Sequence, residues 1–158
     1  KTAVSLIVLG CPQASVGEIR AAAQALQGKT VAAVPLWVFT SAHNKAIAEK
    51  TGLADVIRAS GALLLENTCP EVVPYDKSWV HHILTNSMKA EHYITSGLNG
   101  IPTSVLKLAD CVAVATGEKA VKIEPEPTPE IVANKPKSPR TTTPDPQSPI
   151  PDPRSCQR

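Results

Sequence analysis

Short aliphatic runs alternate with stretches of helical spacing as far as residue 117, and there the alternation stops. Ala3–Leu9 is an apolar run of strand length and predicts a buried strand. Ser15-Val16-Gly17-Glu18 has the form of a capping box, in which a serine and a glutamate satisfy the free amides of a helix start. Ile19, Ala22, Ala23 and Leu26 then recur at helical spacing, and Gly28 ends the helix. Val31–Phe39 predicts a second strand, with Pro35 inside it arguing for an edge position or a bulge. Ser41 caps a helix predicted to run to about Thr51, and Leu53, Val56 and Ile57 form a shorter one closed by Ser60-Gly61. Leu63–Leu65 and His82–Thr85 predict two more strands, separated by a loop through Tyr75-Asp76-Lys77-Ser78. Ser87–Ser96 predicts a helix stopped by Gly97, and Val105, Leu108, Val112 and Ala115 share a helical face ending at Gly117. The order β-α-β-α-α-β-β-α-α predicts an α/β body: a mostly parallel sheet with helices on both faces.

Composition divides the chain in two. Of its 15 prolines, ten fall between residues 125 and 153, where few apolar residues remain. Such a segment buries too little surface to offset its ordering entropy. The expectation is a lobe over residues 1–120 and a disordered, polyproline-like tail over 121–158. The body enters a strand almost at once from Lys1, which suggests the C-terminal part of something longer. A net charge of +2, with no basic stripe and five aromatic residues, argues against nucleic acid as a partner. No apolar run approaches the ~18 residues of a membrane span.

Four predicted strands run straight into polar or sulfur-bearing clusters, namely Gly10-Cys11-Pro12, Thr40-Ser41, Asn67-Thr68-Cys69-Pro70 and Asn86-Ser87-Met88-Lys89. In open α/β sheets the ligand crevice lies beyond the carboxyl ends of the strands, so these clusters predict one site. Cys11 precedes a capped helix, whose dipole favours the thiolate that a nucleophile or a metal ligand requires. Cys69 occupies a similar loop, whereas Cys111 lies beside Leu108 and Val112 on a helix face, where packing is the plainer role. Without CxxC pairs or dense spacing, Cys11, Cys69, Cys111 and Cys156 suit free thiols in a reducing, cytoplasmic setting rather than a disulfide scaffold. Asn86, Ser87 and Lys89 open a helix and could receive an anion there; ordinary capping with a solvated lysine is the plainer role. His81 and His82 point to opposite sides of a strand, and His92 lies on the Lys89 helix as a candidate acid or base.

The segments Leu9–Pro12, Leu36–Ser41, Asn67–Pro70, Thr85–Tyr93 and Leu108–Cys111, in that order, resemble the C-terminal half of aconitase X proteins over about residues 3 to 117. The resemblance implies a dehydratase that removes water from a hydroxy acid, cis-3-hydroxy-L-proline or mevalonate 5-phosphate. It implies an iron–sulfur cluster or iron centre, with Cys11, Cys69 and more weakly Cys111 as metal ligands. It also implies substrate contacts from Ser41, Asn86, Ser87 and Lys89. As partners it implies the missing N-terminal half and a small swivelling subunit or domain. Two positions depart from the family pattern: Gln13 stands where histidine is common, and Asn67 where aspartate is usual. Neither amide can act as a base at neutral pH.

Two further readings remain open from the residues. One is a non-catalytic remnant serving as a binding module, whose tail recruits partners through polyproline docking or the Ser138-Pro139, Thr143-Pro144 and Ser148-Pro149 phosphorylation patterns. The other is a thiol enzyme with Cys11 as nucleophile, for which no adjacent histidine is assigned.

Overall fold

The computed structural model describes residues 3–121; the tail, with Cys156 and the Ser/Thr-Pro pairs, lies outside the described residues. Five strands, β1 (Leu6–Ala14), β2 (Leu36–Thr40), β3 (Leu63–Glu66), β4 (Ile83–Thr85) and β5 (Thr103–Val105), form one sheet in the order β3-β2-β1-β4-β5. Every pairing is parallel. Among the described residues four helices lie between strands, α1 (Val16–Leu26), α2 (Ala42–Lys50), α3 (Leu53–Ala59) and α4 (Met88–Ser96), and α5 (Leu108–Thr116) follows β5. Among the described residues no helix is long and apolar enough to cross a membrane.

Strict alternation along the strands builds two cores. Ile7, Leu9, Leu36, Val38, Leu64 and Leu84 face a layer containing Ile19, Ala22, Ala23 and Leu26 of α1, Ile57 of α3, and Cys111, Val112 and Ala115 of α5. Leu6, Val8, Phe39 and Ile83 face the other way, onto Ala90 and Ile94 of α4 and onto Tyr75 and Val80. Those last two belong to the connection between β3 and β4, which thus covers sheet surface that no helix covers. The chain runs β1 to β2 to β3 on one side of β1, then returns to lay β4 and β5 on the other. The strand order therefore reverses between β1 and β4, where α/β sheets open a crevice at their carboxyl edge.

Three expectations need correction. The second strand begins at Leu36, not Val31; Pro35 precedes it, so β2 sits inside the sheet between β1 and β3 rather than at its edge. Pro35 needs no ladder amide there, and its carbonyl accepts from Ile7 N at 2.9 Å. Val105 lies in a strand, β5, and not on the helical face shared by Leu108 and Val112. At three residues, β5 is too short to show a period of its own. The first strand does not stop at Leu9. Leu9 pairs with Val38 and Ala14 with Thr40, so five steps along β1 match two along β2, and the surplus chain bulges out.

Candidate metal and substrate site

That bulge carries Cys11. It exists because residue 10 is glycine: φ is +86°, and a Cβ there would lie 2.3 Å from the Phe39 carbonyl oxygen and 2.9 Å from Ala14 Cβ. The Cys11–Pro12 peptide is cis. Beyond the bulge, the Ala14 carbonyl accepts from Thr40 Oγ1 at 2.7 Å and from Asn44 Nδ2 at 3.0 Å, which fixes the chain again before the Ser15–Glu18 capping box. Cys11 therefore belongs to β1. The helix start it faces is that of α4, not the α1 start that follows it in sequence.

Ser87 is the N-cap of α4, accepting from Ala90 N at 3.2 Å, and its side chain lies near enough to the Cys11 thiol to favour the thiolate. Burial, reinforced by the neighbouring Cys69, holds the Cys11 thiol above its ordinary value. Lys89 and the Ser87 hydroxyl pull the other way and do not win. The expectation of a thiolate set by a helix dipole is thus reversed for the bare site, because desolvation outweighs the favourable neighbours. Both thiols also push the Tyr75 phenol upward, after burial, so both lie within electrostatic reach of it, and Cys11 packs against the same apolar cluster as Tyr75.

Cys69 reaches that volume by a detour. Its own strand, β3, is two places away from β1. Asn67 turns the chain at φ +58°, its Oδ1 accepting from Ala42 N at 3.2 Å, in a left-handed conformation that asparagine tolerates well. The amide at this position is a turn-former. Tyr75 is buried and donates its hydroxyl hydrogen to the Pro70 carbonyl at 2.7 Å. Trp37 of β2 stacks on Tyr75, with ring centroids 6.2 Å apart, and meets Trp79 edge-on at 6.2 Å.

The other expected site residues fall in different places. Cys111 does not join the pair. It is fully buried in α5, in the core on the α1 side of the sheet, where its Sγ donates to the Leu106 carbonyl at 3.7 Å. Burial pushes its thiol up to about 11. The reason is visible in its neighbours Val112 and Ala115: the face that carries it is the packing face of the helix. Among the described residues no group of three or more His, Cys, Asp or Glu side chains is placed to hold a metal ion. Lys89 is exposed beside the thiols, its ammonium 5.8 Å from the Tyr93 ring centroid. Asn86 turns away toward α1, lining a cavity of about 50 Å³ with Leu9, Gly10, Glu18 and Leu108. Ser41 caps α2, accepting from Asn44 N at 3.2 Å. His92, the candidate acid or base, is exposed, its ring 5.2 Å from that of Tyr93. Sequence reasoning missed Tyr75; its one signal was an aromatic in a loop that also carries Val72, Val73, Trp79 and Val80, more apolar than a solvated connection needs.

Residues 4–117 match the family described as Aconitase X third domain. The chain is similar to the phosphomevalonate dehydratase large subunit of Methanocaldococcus jannaschii, 38% identical over 91 residues, or 58% of this chain and 22% of that protein. It is similar to the large subunit of the same name from Methanosarcina mazei, 36% identical over 118 residues, or 74% of this chain and 28% of that one. The crystal structure of Thermococcus kodakaraensis aconitase X (holo-form) superposes with a TM-score of 0.64 at 29% identity, covering 71% of this chain and 28% of that one. The chain thus spans about a quarter of the length of the relatives it matches.

Proposed function

The chain belongs to the aconitase X family, and we propose that it forms the third-domain part of a hydro-lyase that removes water from a hydroxy acid. The single observation that carries this reading is the convergence of Cys11 and Cys69, from β1 and from beyond β3, at the capped start of α4. Two half-buried thiols fit part of an iron or iron–sulfur centre and not all of it, so the remaining ligands come from the rest of the large subunit. Cys11 and Cys69 would hold that centre, and when bound it would supply a Lewis acid for the departing hydroxyl.

The chain's own residues would do the rest of what this domain does. Lys89 and the first amides of α4 offer an anion a cation and free donors, suited to a carboxylate or a phosphate. Ser87, between Cys11 and that helix start, orients the thiol. The relatives' names favour mevalonate 5-phosphate over cis-3-hydroxy-L-proline as the substrate of the whole enzyme. They also favour a small subunit as partner, completing the site with the remainder of the large one. Free thiols suit a reducing compartment.

A second reading is favoured by one feature. Gln13 and Asn67 place no base at the bulge or at the β3 turn, so a binding module that has lost the reaction is the alternative.

A chimaera separates the two. The matching quarter of the Methanocaldococcus jannaschii large subunit is replaced by this chain, and the product is reconstituted anaerobically with iron, sulfide and the small subunit. The dehydratase reading predicts a thiolate-to-iron charge-transfer band and dehydration of mevalonate 5-phosphate, both lost in Cys11→Ser. A colourless, inactive chimaera beside an active parent would select the binding module.

A further inference from the structure

The turn that carries Cys69 is gripped twice. Val72 N donates to the Cys69 carbonyl at 3.2 Å, closing the turn, and this leaves the carbonyls of Pro70 and Glu71 directed outward. Tyr75 donates to the first at 2.7 Å, and Asn99 donates through Nδ2 to the second at 2.7 Å. Both donors are nearly buried, at 7% and 6% exposure. They come from different parts of the chain: Tyr75 from the connection between β3 and β4, Asn99 from that between α4 and β5. Tyr75 is itself held by Trp37, a side chain of β2, the strand next to β1. Asn99 follows α4, the helix whose cap touches Cys11. Each clamp thus ties the Cys69 turn to an element that also positions Cys11.

We propose that Tyr75 and Asn99 are positioning residues that preset the Cys69 thiol opposite Cys11 before any group binds there. This rests on the reading of the two cysteines as a ligand pair. A turn leaving a four-residue strand has no ladder to fix its direction. Side-chain donors on consecutive carbonyls fix it, and burial makes the loss of either donor costly because its acceptor is left unpaired.

The test uses the 158-residue chain, reduced and metal-free. Tyr75→Phe keeps the ring against Trp37 and removes only the hydroxyl; Asn99→Asp keeps the shape and removes the N–H. Iodoacetamide labelling is followed by mass spectrometry at each cysteine. Cys69 labelling should accelerate about fivefold in either variant, the factor one net hydrogen bond represents, with Cys11 unchanged. Ser60→Ala removes a buried hydrogen bond to Ile57, far from the thiols in the fold, and serves as the stability control. Should both cysteines accelerate together in step with melting temperature, as in that control, or Cys69 not respond, the proposal is overturned. Either variant decides if the other fails to fold. Titration with Co²⁺ under anaerobic conditions separates the underlying reading. Wild type should give a thiolate charge-transfer band that weakens about fivefold in affinity in both variants. Absence of that band in wild type, with the labelling contrast intact, would leave the clamps standing and sink the ligand pair.

Discussion

Gly10 is the residue on which the site's geometry turns. Its positive φ and the 2.3 Å approach that a Cβ would make to the Phe39 carbonyl leave no room for alanine. Gly10→Ala should lose about 3 kcal/mol or more of stability, combining left-handed strain with a backbone clash. The check is a urea midpoint, and a loss under about 1 kcal/mol would mean that the bulge relaxes freely. Next to Cys11 the sequence displayed the chemistry but not the mechanism: Gly10-Cys11-Pro12 reads as a turn, and only the pairing of Ala14 with Thr40 shows a strand that bulges and resumes. Cys111 shows the reverse. Its neighbours Leu108 and Val112 already spoke for packing, and the family resemblance pulled the other way.

His82 supplies a residue-scale prediction away from the site. It is buried at the amino end of β4, with Nε2 2.9 Å from Ser104 Oγ, and burial lowers its proton affinity in the fold. The unfolded chain therefore takes up that proton first. Stability is full above the ordinary imidazole value of 6.5 and is lost as pH falls from there through the lower folded value. Melting temperature should drop between pH 7.5 and pH 5, and His82→Asn should flatten that drop. A variant with an unchanged pH slope would show that the slope arises elsewhere.

At the scale of elements, two helix starts with the same capping chemistry have different duties. Ser15 and Glu18 form a full capping box on α1, with Ser15 N to Glu18 Oε2 at 2.8 Å. Ser87 caps α4 and also touches Cys11. Ser15→Ala and Ser87→Ala should each cost about 1 kcal/mol. Ser87→Ala alone should slow Cys11 alkylation at neutral pH, because the Ser87 hydroxyl it removes is a neighbour that lowers the Cys11 thiol's pKa. Equal alkylation rates in the two variants would show that Ser87 is only a cap. These helices were legible beforehand, since capping boxes and apolar spacing act within a few residues. The position of β2 was not, because a proline one residue before a strand and one inside it differ only through pairing. β5 escaped for a related reason: a three-residue strand is defined by its neighbour β4, not by its own pattern.

At the scale of the whole molecule, the four carboxyl-edge clusters do not make one undivided site. Cys11, Cys69, Ser87 and Lys89 gather on the α4 side, while Asn86 opens toward α1 and Ser41 is spent on α2. The alternation of strands and helices fixed where the edge would be. Which side of the sheet each cluster took depended on the path of the connection from β3 to β4, and a loop held by Tyr75 and Asn99 leaves no periodic trace. The chain spans about a quarter of its relatives' length and brings two thiols toward this side of the edge.

The central claim is that Cys69 faces Cys11 on the β1 bulge, and a trivalent arsenical measures this directly, since it bridges only thiols held close together. Treating the reduced chain with one equivalent of phenylarsine oxide and mapping the adduct by mass spectrometry should give a single arsenic joined to both Cys11 and Cys69, with Cys111 untouched. Adducts on Cys11 and Cys69 that never share an arsenic would contradict the account.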